Sequence, residues 1–156
     1  MTFSVPILSF RPLKALMACA ALICFPVVAS AESADEAEAA AVALAKDQEK
    51  EGYVFRAEAW TGVLSKDVGK AVRMQLFKGN DYCIGVAVPR KAGLRITGAV
   101  LDFQGKPVGD IQPVLDGWGF LLFFKPAKTG QYVVTVRLAE ESKQRDTPCA
   151  IITGYK

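Results

Sequence analysis

Histidine is absent from this 156-residue chain. With it go the usual general base and the commonest metal ligand. Serine does not fill the gap: Ser33, Ser65 and Ser142 sit beside caps or in charged loops, and no G-x-S-x-G elbow surrounds any of them. Cysteine is scarce, at four residues, and no C-x-x-C pair exists to tune a redox thiol. No apolar run reaches the roughly 20 residues of a bilayer span. Heptads, tandem repeats and low-complexity linkers are also missing. What remains is a chain long enough for one domain with a real core and too short for two comfortable ones.

The N-terminus reads as an export signal. Arg11 and Lys14 form a basic region, Ala15 to Val28 an apolar one, and Ala29-Ser30-Ala31 supplies small residues for a peptidase. Cleavage is expected between Ala31 and Glu32, with residues 1–31 as the signal. Cys19 and Cys24 then leave with it as small apolar residues. A lipoprotein reading of Cys19 fails, because a long apolar segment follows it where a polar tether should begin. Losing Arg11 and Lys14 leaves 17 basic against 16 acidic residues. Such a balance advertises no nucleic-acid or anionic-membrane partner. The expected location is the periplasm or the medium.

Two cysteines remain, Cys83 and Cys149. In an exported protein the simplest reading is one disulfide. It would close a loop of roughly 67 residues, worth about 4 kcal/mol on the chain-entropy model, and would tie down the C-terminus.

Ser33 to Gly52 has helical composition: Ser33 and Glu36 make a capping box, acids crowd its start, and Gly52 offers a C-cap. The helix, within residues 32–52, carries an apolar stripe that is mostly alanine. From Tyr53 the period becomes two. Tyr53–Trp60, Ala71–Phe77, Tyr82–Val88, Gly93–Phe103, Gly119–Phe124, Gln131–Leu138 and Cys149–Tyr155 read as strands. Turn signals separate them at Lys78–Asp81, Phe103–Pro107, Asp116–Gly119 and Lys125–Gly130. The expected fold class is all-β, an antiparallel jelly-roll-like sandwich of seven to nine strands over residues 53–156, with one N-terminal helix and one disulfide.

One strand breaks the alternation. Trp118, Phe120, Leu122 and Phe124 fill one face, yet Leu121 and Phe123 make the other apolar too. A strand apolar on both sides should be covered on both sides. The second cover must be a loop, the helix or another chain.

In order along the chain stand "LFKGNDYCIGVAV", "VLDFQGKPV", "LLFFKPAKTGQYVVTV" and "TPCAIITGY". Together they resemble the bacterial pre-peptidase C-terminal domains and their stand-alone relatives. The matching features are Gly79 with Tyr82, Asp102 with Gly105, and the hairpin Pro126, Gly130, Tyr132, Val134 and Val136. Some relatives also carry a cysteine after the aromatic and a terminal Pro-Cys, as in Tyr82-Cys83 and Pro148-Cys149. The resemblance spans Phe77 to Tyr155 and implies an exported jelly-roll module that binds or stabilises and does not catalyse. Family members often carry an acidic run, which in some accompanies calcium; Arg95 stands in that place here, so no metal site is carried over.

For binding, the candidates are Trp60 in "AWTG" and Trp118 in "DGWG", at strand–turn junctions where a ring can stack on a sugar. Trp118, between glycines, is the more suggestive by sequence. The Pro89–Gly93 loop adds Arg90 and Lys91 as a weak anionic contact. Carboxylate chemistry through Asp102, Asp110 and Asp116 is the lesser option, since these are positions that turns favour. Tyr132 is expected in the core with its hydroxyl bonded near the turn. The reading is therefore a non-enzymatic module engaging a protein or polysaccharide in the envelope or outside the cell, with no catalytic residue, metal or cofactor. The alternative is a complex-forming or homodimeric protein that docks through its helix and two-faced strand.

Overall fold

The computed structural model describes residues 28–91, 94–142 and 146–156. The basic and apolar parts of the expected signal, through residue 27, lie outside these residues, as do Ala92 and Gly93 of the basic loop. Among the described residues the first element is a helix, α1 (Val28–Glu49), and ten strands follow. They are β1 (Val54–Phe55), β2 (Trp60–Ser65), β3 (Lys70–Leu76), β4 (Tyr82–Ala87), β5 (Ile96–Leu101) and β6 (Pro107–Val108), then β7 (Asp110–Pro113), β8 (Gly119–Phe124), β9 (Gly130–Leu138) and β10 (Asp146–Tyr155).

Two antiparallel sheets form. In the first the order is β10-β4-β8-β7, with β1 and β2 sharing the outer edge of β10; in the second it is β3-β9-β5-β6. The pairings nest: β2 with β10, β3 with β9, β4 with β8, β5 with β6. Between the sheets lie Tyr82, Ile84, Val86, Phe120, Leu122 and Ile151 from one side and Leu76, Val100, Val134 and Val136 from the other. Full burial of each large apolar side chain contributes about 1.5–3 kcal/mol, so this layer is the main source of stability.

The helix starts at Val28, five residues before the expected Ser33 cap, and so runs through the Ala31–Glu32 bond. Nothing in Val-Ala-Ser-Ala-Glu breaks a helix, and its alanines favour one. Its C-terminal end follows expectation. Gly52 adopts φ 92°, its N–H donates to Glu49 O, and the Tyr53 N–H donates to Gln48 O, a Schellman pair.

α1 lies on the outer face of the first sheet. Ala37, Ala40, Ala41 and Ala45 pack on Ala87, Ala150 and Ile152. Strand β4 explains the fit, since it alternates large residues inward with small ones, Cys83, Gly85 and Ala87, outward. An added Cβ on Gly85 would come within 3.1 Å of Ile152. Small against small lets helix and sheet approach closely. The second apolar face of β8 is covered within the chain too: Leu121 packs with Tyr53 and Cys83, flanked by Leu44, Phe55 and Phe123.

The disulfide is not formed, and this corrects the expectation from composition. Cys83 and Cys149 are both free and buried. Cys83 is paired with Gly154 on β10, five residues from Cys149. At about 3.3 Å per residue that offset is about 16 Å, whereas a disulfide needs Cα atoms within about 7 Å. Five is also odd, so the two side chains leave opposite faces of the sheet: Cys149 belongs to the inter-sheet core and Cys83 to the layer under Tyr53. The C-terminus is held by backbone instead. Lys156 N–H donates to Asp81 O at 3.0 Å, and Asp81 N–H donates back to Lys156 O at 2.9 Å.

Candidate functional site

The expected strand Tyr53–Trp60 is broken in two. After the Arg56 N–H donates to Thr153 O at 3.0 Å, the chain swings away from β10 and returns at Trp60, which opens β2 opposite Ile151. This detour leaves a gap at one edge of the sandwich, between the β2 side of the first sheet and β3 of the second. The gap is a cleft of about 300 Å³.

Its inner wall is apolar: Trp60, Val72, Met74, Leu76 and Ile151. Its rim is polar: Arg56, Glu58, Arg73 and Gln75. The Trp60 ring lies across Gly62, two residues on along β2, where any Cβ would strike it. Glycine here lets the indole lie along the strand and present itself to the cleft. At the back, the Thr153 hydroxyl donates to the Met74 sulfur at 3.6 Å. Phe77 of the lining is exposed, as are Val54 and Tyr155, which pair across β1 and β10. At that end the Phe77 N–H donates to the Tyr82 hydroxyl at 2.9 Å, and the Tyr82 and Tyr155 rings are 6.2 Å apart.

Trp118 sits elsewhere. It follows the short 3-10 turn Leu115–Gly117 and is half-buried against both the inter-sheet core and the alanine layer. The Arg90 guanidinium covers its ring at 4.1 Å, and Lys91 reaches Glu36 on the helix at 3.6 Å. Arg90 and Lys91 are therefore engaged by their own protein. Trp60 and Trp118 stand on β2 and beside β8, with β10 and β4 between them, so about 14 Å of sheet separates them. They do not form one platform.

The carboxylates follow turn logic. Asp102 Oδ1 accepts from the backbone N–H groups of Gln104 and Lys106, each at 2.9 Å, closing the turn around Gly105. Asp110 begins β7, and Asp116 lies past its far end in the 3-10 turn. Among the described residues no group of three His, Cys, Asp or Glu side chains is placed to hold a metal ion. Burial pushes the Cys83 thiol up to about 12, helped by the nearby Asp81, and the Cys149 thiol up to about 11. Both shifts disfavour the thiolate, the nucleophilic form.

Among the described residues there are also broader depressions, about 490 Å³ between α1 and Arg90–Lys91, about 480 Å³ over Ala71, Ala99 and Thr135 on the outer face of the second sheet, and about 440 Å³ among Lys66, Asp67, Arg137, Glu140 and Glu141. All three are lined mainly by small residues and charged side chains, without an aromatic ring. Of these depressions among the described residues, the cleft combines an indole, an apolar wall and a polar rim, an arrangement that can hold a ligand. Sequence reading found Trp60 but not the cleft, since its other walls come from β3 and β10. The detour at Arg56–Ala59, two charges in a run too polar for a core strand, was the available signal. No family model matches this chain, and no curated protein does.

Proposed function

We propose that this protein is an exported, non-enzymatic binding module, working in the periplasm or outside the cell, whose ligand seat is the Trp60 cleft. The observation that carries the reading is the cleft itself: an indole on an apolar wall, with Arg56, Glu58, Arg73 and Gln75 around it. Sites of this kind orient a ligand with a few polar groups around an apolar contact. The ligand is a protein segment or a polysaccharide. The nested strand pairing is the connectivity of a jelly roll and supports kinship with the pre-peptidase C-terminal domains, as do Tyr132 and Asp102 in their turn roles. The docking alternative has less support, because the helix and the outer face of β8 lie within the chain's own packing.

Tryptophan fluorescence tests the site. The mature protein is titrated with soluble glucan and chitin oligomers and with extended peptides. A ligand-dependent shift that persists in Trp118→Phe and disappears in Trp60→Phe supports the cleft. A shift that disappears only in Trp118→Phe would move the site to the helix side, and no response to either class would remove the proposal.

A further inference from the structure

The sandwich has four sheet edges, and their sequences treat them differently. β6 is two residues long and begins with Pro107; β7 has four residues and ends with Pro113. The edge formed by β1 and β2 is broken by the detour at residues 56–59 and carries Gly62. Short strands, proline, interruptions and charged side chains are the usual protection against stray pairing. β3 has only the last, Lys70 and Arg73. Its seven residues, KAVRMQL, pair with β9 in unbroken register from Lys70 to Leu76. Among the described residues no strand pairs with its other side.

That open side faces the cleft. Six consecutive residues, Val72 to Phe77, line it. Side chains of a strand alternate between faces, so a run of six means that the backbone edge itself forms the wall. In antiparallel geometry alternate residues of an edge strand aim both N–H and C=O outward. Such a row, repeating every second residue, is complementary to another extended polypeptide and not to a sugar ring.

We propose that the cleft receives an extended segment of a partner protein by strand addition to β3. This rests on the cleft being the binding seat and names its occupant. Directly opposed residues share a face, so partner side chains level with Val72 and Met74 point inward to Trp60 and are apolar. Those level with Arg73 point outward. The rim carries two exposed cations, Arg56 and Arg73, against one acid, Glu58. Among the described residues neither cation is in an ion pair. The segment is therefore apolar and acidic in alternation.

The probe is a displayed library of random dodecapeptides, selected on the immobilised full chain. Enriched peptides should alternate apolar and acidic residues. N-methylation of their amides at one parity should weaken binding about tenfold or more, because it removes the edge hydrogen bonds, while the other parity leaves it within about twofold. Arg73→Glu, an exposed position away from the core, should weaken binding by about tenfold. Equal losses at both parities would overturn strand addition. Enrichment of nothing, with glucan or chitin oligomers still shifting Trp60 fluorescence, would overturn it while leaving the cleft as the seat. A dimeric mass with Gln75→Cys chains cross-linking through β3 would give the edge to a second copy and overturn the partner segment. Silence to peptides and oligomers in a monomer would remove both the segment and the cleft.

Discussion

Cys83 and Cys149 lie on neighbouring strands of one sheet and face away from each other, one toward the helix layer and one toward the inter-sheet core. Each fills the place of a small apolar residue, and the fold is closed without a covalent staple.

Purified protein should therefore be indifferent to reductant. Its melting temperature in dithiothreitol should match that without, and Ellman's reagent should find Cys83 and Cys149 only after denaturation. Two sulfurs oxidised in native, unreduced material would contradict the packing described.

The same burial sets an alkaline limit. Both thiols have folded pKa values raised above the ordinary 9.0, and Tyr53 is pushed up to about 12 by burial and by Asp81. A raised pKa means the folded state keeps protons that the unfolded state releases. Their contribution is complete below about pH 9 and is lost as pH climbs toward 11–12. Melting temperature should be level from pH 6 to 8 in this respect and fall above 9, less steeply in Cys83→Ala/Cys149→Ala.

Gly98 sits at the middle of β5, where a Cβ would enter the backbone oxygen of Thr135 and come within 2.6 Å of the Phe120 ring. Gly98→Ala should cost about 1–3 kcal/mol by overpacking. Urea denaturation measures it; an unchanged midpoint would show that β5 and β9 can part cheaply.

Ala41 is completely buried between helix and sheet. Ala41→Glu places an unpaired charge there, which should lift α1 from β4. The Cys83 thiol should then react with Ellman's reagent in otherwise folded protein, while Cys149, on the inner face, stays protected. Equal protection of both would mean the helix does not shield Cys83.

The Tyr132 hydroxyl donates to Lys128 O at 2.9 Å, pinning the β8–β9 turn, and its ring meets Phe124 edge-on at 5.0 Å. Tyr132→Phe keeps the ring contact and loses the hydrogen bond, so about 0.5–1.5 kcal/mol should disappear. A larger loss would point to a role for the hydroxyl beyond the turn.

Much of this architecture was legible along the chain. The alternation in Tyr82–Val88 and Gln131–Leu138 named the inward faces correctly, and Gly52, Asp102 and Tyr132 take the cap, turn and core roles their types imply. The same alternation held the clue against the disulfide: Cys83 is out of phase with Ile84, Val86 and Val88, the residues that define the core face. Composition argued for pairing where phase argued against it, and phase prevailed. Large-in, small-out spacing on β4 also matches the alanine stripe of α1, a complementarity visible in both segments.

Local periodicity by itself determined most of the strands, their buried sides and the turns, because each depends on neighbours within a few residues; it missed the break within Tyr53–Trp60 and the short β6 and β7. Only the tertiary structure decided which strands share an edge. It alone brought Trp60 beside Val72 and Met74, placed Arg90 over Trp118 and, among the described residues, left one side of β3 without a strand. Those outcomes depend on register between segments far apart in sequence, and a register is selected by the whole core at once.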